Sequence, residues 1–162
     1  MHILLTRPLE DSKEIILKFK SLGHQVSHLP LISINKIYYE KINFSDYGGI
    51  IFTSANAVKF LDLDKLDKNI KCFCVGEKTE KKARSLGFQN TFTAEGNVLN
   101  LKELILRYYD LKNRQLLYVS GEIISFDLDQ KLLKEGYNIK RITNYRVSHN
   151  QKFDENFIKD LK

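Results

Sequence analysis

The chain has 162 residues, 43% of them hydrophobic and 28% charged, which is ordinary for a soluble globular protein and enough for one domain or two small lobes. No run of about 18 apolar residues occurs, so a membrane span is not expected. The formal charge of +6 favours an anionic ligand over a cationic one, yet the lysines and arginines are scattered among acidic residues without a basic stripe, so nucleic acid is not the expected partner.

In chain order, residues 3–5 are an apolar strand closing in the turn Thr6-Arg7-Pro8. No basic region followed by a long apolar stretch precedes it; a signal peptide is not expected, and the cytoplasm is the expected location. Leu9, Ile16, Phe19 and Leu22 follow at helical spacing, and Gly23 ends the helix. Residues 25–29 form the next strand. His24 and His28 would therefore stand about 13 Å apart along it, too far for one ion. Residues 31–38 are extended and rich in isoleucine.

The same strand, helix, glycine, strand grammar then recurs. An apolar strand runs over 49–54, with a short helix over 55–61. Another strand, Cys72-Phe73-Cys74-Val75-Gly76, leads to a helix ending at Leu86 and Gly87, then a strand near 91–93. The two cysteines, at i and i+2 on a strand, share a face and read as buried thiols, with neither redox nor zinc spacing. An amphipathic helix spans 98–108. The strand 116–121, a helix to Glu135 with Gly136, and a strand over 138–143 complete the pattern. A second extended stretch covers 141–147. It and residues 31–38 are either strands of one sheet or paired linkers between two lobes. Continuous apolar strands alternating with helices specify an α/β fold with parallel sheets covered on both faces.

Ligands of open parallel sheets bind beyond the carboxyl ends of the strands. Four such ends are legible: Thr6-Arg7, Thr53-Ser54, Val75-Gly76 and Ser120-Gly121, each read as leading into a helix, with Thr79 in the first turn after Gly76. Helix N-termini offer free N–H groups and partial positive charge, and small residues let an anion approach them. Serine and threonine there are also ordinary helix caps. No strand end carries a nucleophile with a base, and no phosphate-binding glycine motif occurs. The residues describe a cleft holding an anionic ligand with neutral donors, and no metal site or cofactor is expected.

The ordered set of motifs resembles the uroporphyrinogen-III synthase family. Thr6-Arg7-Pro8 resembles its opening turn, and residues 47–58, with Phe52-Thr53-Ser54-Ala55-Asn56-Ala57-Val58 inside them, resemble its Phe-Thr-Ser-x-Asn-x-Val segment. Val75-Gly76-Glu77-Lys78-Thr79 resembles its V-G-x-x-T turn, and Asn144-Tyr145-Arg146-Val147 its tyrosine-bearing return linker. The family's third turn carries an arginine-rich run. Here Ser120-Gly121-Glu122-Ile123-Ile124-Ser125 has none, so carboxylate binding there would rest on Ser120, Ser125 and backbone N–H groups.

The resemblance implies two Rossmann-like parallel-sheet lobes joined by two extended linkers: residues 1–35 with 148–162 as the first, residues 36–147 as the second. It implies conversion of hydroxymethylbilane, four pyrroles bearing eight carboxylates, into uroporphyrinogen III for haem synthesis, a lyase reaction without a cofactor. Tyr145 is the catalytic candidate, assisting departure of the substrate hydroxyl; a linker aromatic packing between lobes is the other reading. Arg7, Thr53, Ser54, Asn56, Gly76, Thr79, Ser120 and Gly121 are the substrate-binding candidates, and Thr53, Ser54, Thr79, Ser120 and Tyr145 are expected to face one inter-lobe cleft. Arg7 is equally at home as a surface residue. The alternative function is a ligand-sensing α/β module without catalysis. The tail, with Phe153, Phe157, Ile158 and Leu161 at helical spacing, is expected to re-enter the first lobe and leave it incomplete, a truncation predicting low activity and either pairing with a second copy, disorder there, or dependence on a crystal neighbour.

Overall fold

A computed structural model of the chain describes residues 1–150. The expected helix through Phe153, Phe157, Ile158 and Leu161 lies outside the described residues. The elements run β1 (His2–Leu5), α1 (Leu9–Ser21), β2 (Gln25–His28), β3 (Ile32–Lys36), β4 (Tyr47–Phe52), α2 (Ala55–Phe60), β5 (Lys71–Val75), α3 (Gly76–Ser85), β6 (Thr91–Ala94), α4 (Val98–Tyr108), β7 (Gln115–Gly121), α5 (Leu128–Lys134) and β8 (Ile139–His149). The chain divides into two compact units, Met1–Asn35 with the chain from Val147 on, and Lys36–Arg146.

In the first unit, β1 pairs in parallel with β2, His2 opposite Gln25 and Leu5 opposite His28, and α1 makes the crossover. Glu10 and Asp11 lie in the first turn of α1 and Lys18 and Lys20 in its last, each sign complementing the helix dipole. Gly23, at φ +78°, ends the helix. Gly23 N donates to Lys20 O and His24 N to Phe19 O, the paired bonds that satisfy the last carbonyls when the chain turns left-handed. Gly87 and Gly136, at φ +97° and +90°, close α3 and α5 with the same bond pair, so the three glycines read from the sequence share one cause. Among the described residues of this unit only Ser12 is buried, and Leu17 and Leu22 are exposed.

The second unit is built on parallel strands in the order β8-β7-β4-β5-β6. Side chains alternate across it. Ile50, Phe52, Cys72, Cys74, Leu117 and Val119 face one way, under Ala57 and Val58 of α2 and Ala83 of α3. Ile51, Phe73, Leu116 and Tyr118 face the other way, under Leu101 and Ile105 of α4 and Leu128 and Leu132 of α5. Because both faces are covered, these strands read as unbroken apolar runs. Cys72 and Cys74 do share a face; both are free and buried, with Sγ atoms 3.7 Å apart. The Cys74 hydrogen bond and burial together push the Cys72 thiol far above its ordinary range.

One alternative of the sequence reading is observed, and one expectation is corrected. Residues 138–143 and 141–147 are one eleven-residue strand, β8, and β3 lies beside it in the sheet. Ile37 N donates to Asn144 O and Asn150 N to Leu31 O, a pairing with antiparallel sense. The two extended stretches are therefore neighbouring strands of one sheet. Second, β7 does not lead straight into a helix. A loop over residues 122–127 intervenes, because α5 begins only at Leu128, where the apolar helical spacing of Leu128 and Leu132 starts.

Candidate functional site

The carboxyl ends of β4 and β7 and the loop after β7 enclose a pocket of roughly 170 Å³ within the unit Lys36–Arg146. Thr53, Ser54, Tyr118, Ser125 and Tyr145 bring hydroxyls to its lining, Val98, Ile123, Ile124 and Phe126 bring apolar groups, and Gly121 supplies backbone. Among the described residues the two tyrosines are its only ionisable lining groups. The site can therefore donate hydrogen bonds to a polar or anionic group and cover its apolar part, but it holds no nucleophile paired with a base.

Each part has a local cause. β4 ends at Phe52, and Ser54 caps α2, its Oγ accepting from Asn56 N at 3.2 Å. Asn144 of β8 ties α2 down by donating from Nδ2 to Ala57 O at 2.7 Å. Tyr118 comes from the middle of β7 and is 1% exposed; its hydroxyl lies 3.4 Å from Thr53 Oγ1. Burial raises the Tyr118 pKa above the usual phenol value, against smaller lowering effects from Thr53 and Arg141. Gly121 is paired with Tyr145 across the β7–β8 ladder. A Cβ on Gly121 would stand 2.7 Å from Tyr145 Cζ and 2.9 Å from its Oη, so the ring covers the glycine backbone. The missing side chain is what seats Tyr145 at the pocket wall.

The arginine absent from the loop sequence arrives from the neighbouring strand. Arg141 of β8 donates from Nε to Ser120 Oγ at 2.8 Å and from Nη2 to Gly121 O at 3.0 Å and Glu122 O at 3.4 Å. Its guanidinium also lies 6.0 Å from the centre of the Tyr118 ring, its partner in the strand register. The outer ion pair of Arg146 with Glu122, 3.6 Å apart and about half exposed, contributes little by comparison.

Of the residues singled out from the sequence, Thr53, Ser54, Gly121 and Tyr145 come together here. Ser120 does not line the pocket. It is fully buried, and its hydroxyl donates to Gly121 O at 3.1 Å while accepting from Arg141, so it braces the turn and has no proton left for a carboxylate. Thr79 is 5% exposed inside α3 and is not on the wall either. Asn56, the second residue of α2, and Gly76, the first of α3, lie outside the lining set; Gly76, at φ +73°, has open space where a Cβ would stand. Arg7 belongs to the other unit. Its side chain is exposed, and its carbonyl accepts from Ser12 Oγ and His28 Nε2. Sequence reading missed Tyr118 and Arg141. The signal for Tyr118 was a lone hydroxyl in an interior apolar strand, since a buried phenol needs a partner.

Fold and pocket define an α/β protein with a hydroxyl-lined pocket at the carboxyl ends of parallel strands. A family model described as uroporphyrinogen-III synthase HemD matches residues 13–162, and the chain belongs to that family. It is 27% identical over 163 residues to a porphyrin biosynthesis protein HemD of Ruminiclostridium josui, covering 91% of this chain and 32% of the relative; the chain spans about a third of that protein's length. The fold is similar to the crystal structure of uroporphyrinogen-III synthetase from Helicobacter pylori, with TM-score 0.63, 20% identity, and coverage of 99% of this chain and 67% of that one. It is also similar to a mutant uroporphyrinogen III synthase from Thermus thermophilus, with TM-score 0.56, 13% identity, and coverage of 93% and 64%.

Proposed function

We propose that the chain acts as a uroporphyrinogen-III synthase, cyclising hydroxymethylbilane with inversion of its last pyrrole ring. Beside family membership, the observation that carries this reading is the pocket lined by hydroxyls and apolar groups, with Tyr145 seated on its wall by Gly121. The reaction asks for little acid–base machinery. The terminal hydroxyl leaves as water, and Tyr145 donates the hydrogen bond that assists it. The resulting azafulvene is attacked by the substituted carbon of the last ring, giving a spiro intermediate that reopens and closes inverted. Holding the reacting ends together is the main contribution, and held geometry can supply roughly 7–11 kcal/mol.

Thr53 and Ser54 are the proposed carboxylate donors of this site. Residues 1–35 with 148–162 and residues 36–147 act as two lobes in this proposal, and the cytoplasm is its setting. The test is incubation of the chain with hydroxymethylbilane and separation of the ring isomers. Isomer III above the spontaneous background of isomer I supports the proposal. Binding without isomer III would leave the ligand-sensing alternative, and neither binding nor isomer III would reject both.

A further inference from the structure

Within the run Leu116–Val119 of β7, Tyr118 carries the one hydroxyl, and its neighbours there are apolar and fully buried. A phenylalanine would cover the same face without a polar atom to satisfy. Among the described residues the phenol's one hydrogen-bond neighbour is Thr53 Oγ1 at 3.4 Å, longer than the 2.5–3.0 Å of a good O–H···O bond. A buried hydroxyl so weakly held is costly on its own account, and its presence is explained by an acceptor that arrives from outside. The pocket it lines is where such an acceptor would enter.

The surroundings fit an anionic acceptor. Arg141, anchored by its bonds to Ser120 and Gly121, stands over the Tyr118 ring and adds positive charge. Burial raises the phenol pKa, with Asp129 and Tyr145 adding to it and Thr53 and Arg141 opposing, so the group stays a proton donor at ordinary pH. A volume of about 170 Å³ falls below the 300–1,000 Å³ of clefts that enclose a drug-sized ligand, so the pocket suits one ring of a tetrapyrrole rather than four.

We infer that Tyr118 is a ligand-contacting, specificity-determining residue, donating a hydrogen bond to one carboxylate arm of a single pyrrole ring seated in this pocket. The inference rests on the function proposed above and assigns Tyr118 to binding, apart from the hydroxyl departure assigned to Tyr145.

The experiment titrates the wild-type chain and Tyr118→Phe with porphobilinogen, a monopyrrole carrying free acetate and propionate arms, and with its dimethyl ester. The wild type is expected to prefer the diacid. The substitution should weaken diacid binding about tenfold or more, the value of a hydrogen bond to a charged group, and leave the ester nearly unaffected. Equal losses for acid and ester, or no loss, overturn the inference. Should Tyr118→Phe fail to fold, wild-type chain with ¹³C-labelled tyrosine decides: the Tyr118 Cζ resonance must move on adding the diacid, and an unmoved resonance overturns the inference. A wild type that forms isomer III but binds neither monopyrrole overturns the single-ring subsite alone. One that does neither overturns the proposed function, and this inference with it.

Discussion

Gly121→Ala perturbs the site through one contact. The new Cβ would lie 2.7 Å from Tyr145 Cζ, 2.9 Å from Cε2 and 2.9 Å from Oη, and these are the three nearest atoms. All are at the far end of a side chain, so the ring can swing away. The cost falls at the low end of the overpacking range, about 1 kcal/mol, or roughly 2–4 °C in Tm. Gly121 does not have a positive φ, so the backbone itself accepts alanine. In a Tyr145→Ala background the obstruction is gone, and Gly121→Ala should be neutral or stabilise by up to about 1 kcal/mol, because glycine in a strand carries extra unfolded-state entropy. Urea unfolding of the four proteins closes the cycle, with an expected coupling of about 1–2 kcal/mol. Additivity within about 0.3 kcal/mol would refute the claim that Gly121 exists to seat the Tyr145 ring.

Three further outcomes follow from the same structure. Tyr145→Phe should lower kcat for isomer III formation more than it raises KM, because its hydrogen bond is proposed to strengthen in the transition state; equal changes would assign Tyr145 to binding, and none would make it structural. Affinity for the octacarboxylate ring product should fall as salt rises from 0.05 to about 0.5 M, since the chain is +6 and the ligand anionic; a salt-independent affinity contradicts this. Thr93, Arg84 and Thr91 hold the Glu80 carboxyl below its ordinary range. Thr93 Oγ1 is buried without a hydrogen-bond partner, so the bonds from Arg84 at 2.8 Å and Thr91 at 3.0 Å are the effective ones. A depressed folded pKa stabilises above the unfolded value, about 4.3, and that stability is lost as pH falls through the folded value. Glu80→Gln should therefore be less stable than wild type at pH 7, with the gap closing toward pH 3 in thermal melts; a gap independent of pH would show that the charge is not the cause.

The parallel core was legible because its signals are local. β4, β5 and β7 are continuous apolar runs, and Gly23, Gly87 and Gly136 mark helix ends that only a left-handed residue closes. Thr53, Ser54, Gly121 and Tyr145 were legible as strand-end and linker residues of a family pattern. The engagement of the Ser120 hydroxyl by Arg141, twenty-one residues away, was not legible, because such pairing depends on strand register that no local pattern encodes. The loop over residues 122–127 was read as a direct turn into α5 for a related reason. Ile123 and Ile124 extend the apolar run, although Ile123 is 83% exposed and belongs to no element. Tyr118 was hidden by its place in a core strand, where an aromatic is ordinarily packing.

The central claim is that the ligand site lies at the carboxyl ends of β4 and β7. Hydrogen exchange of the backbone amides, with and without the octacarboxylate ring product, tests it most directly. The account predicts slowed exchange at Thr53, Ser54 and residues 121–126 and around Tyr145. Protection confined to other elements, such as α3 and β6, with the pocket amides unchanged, would contradict it.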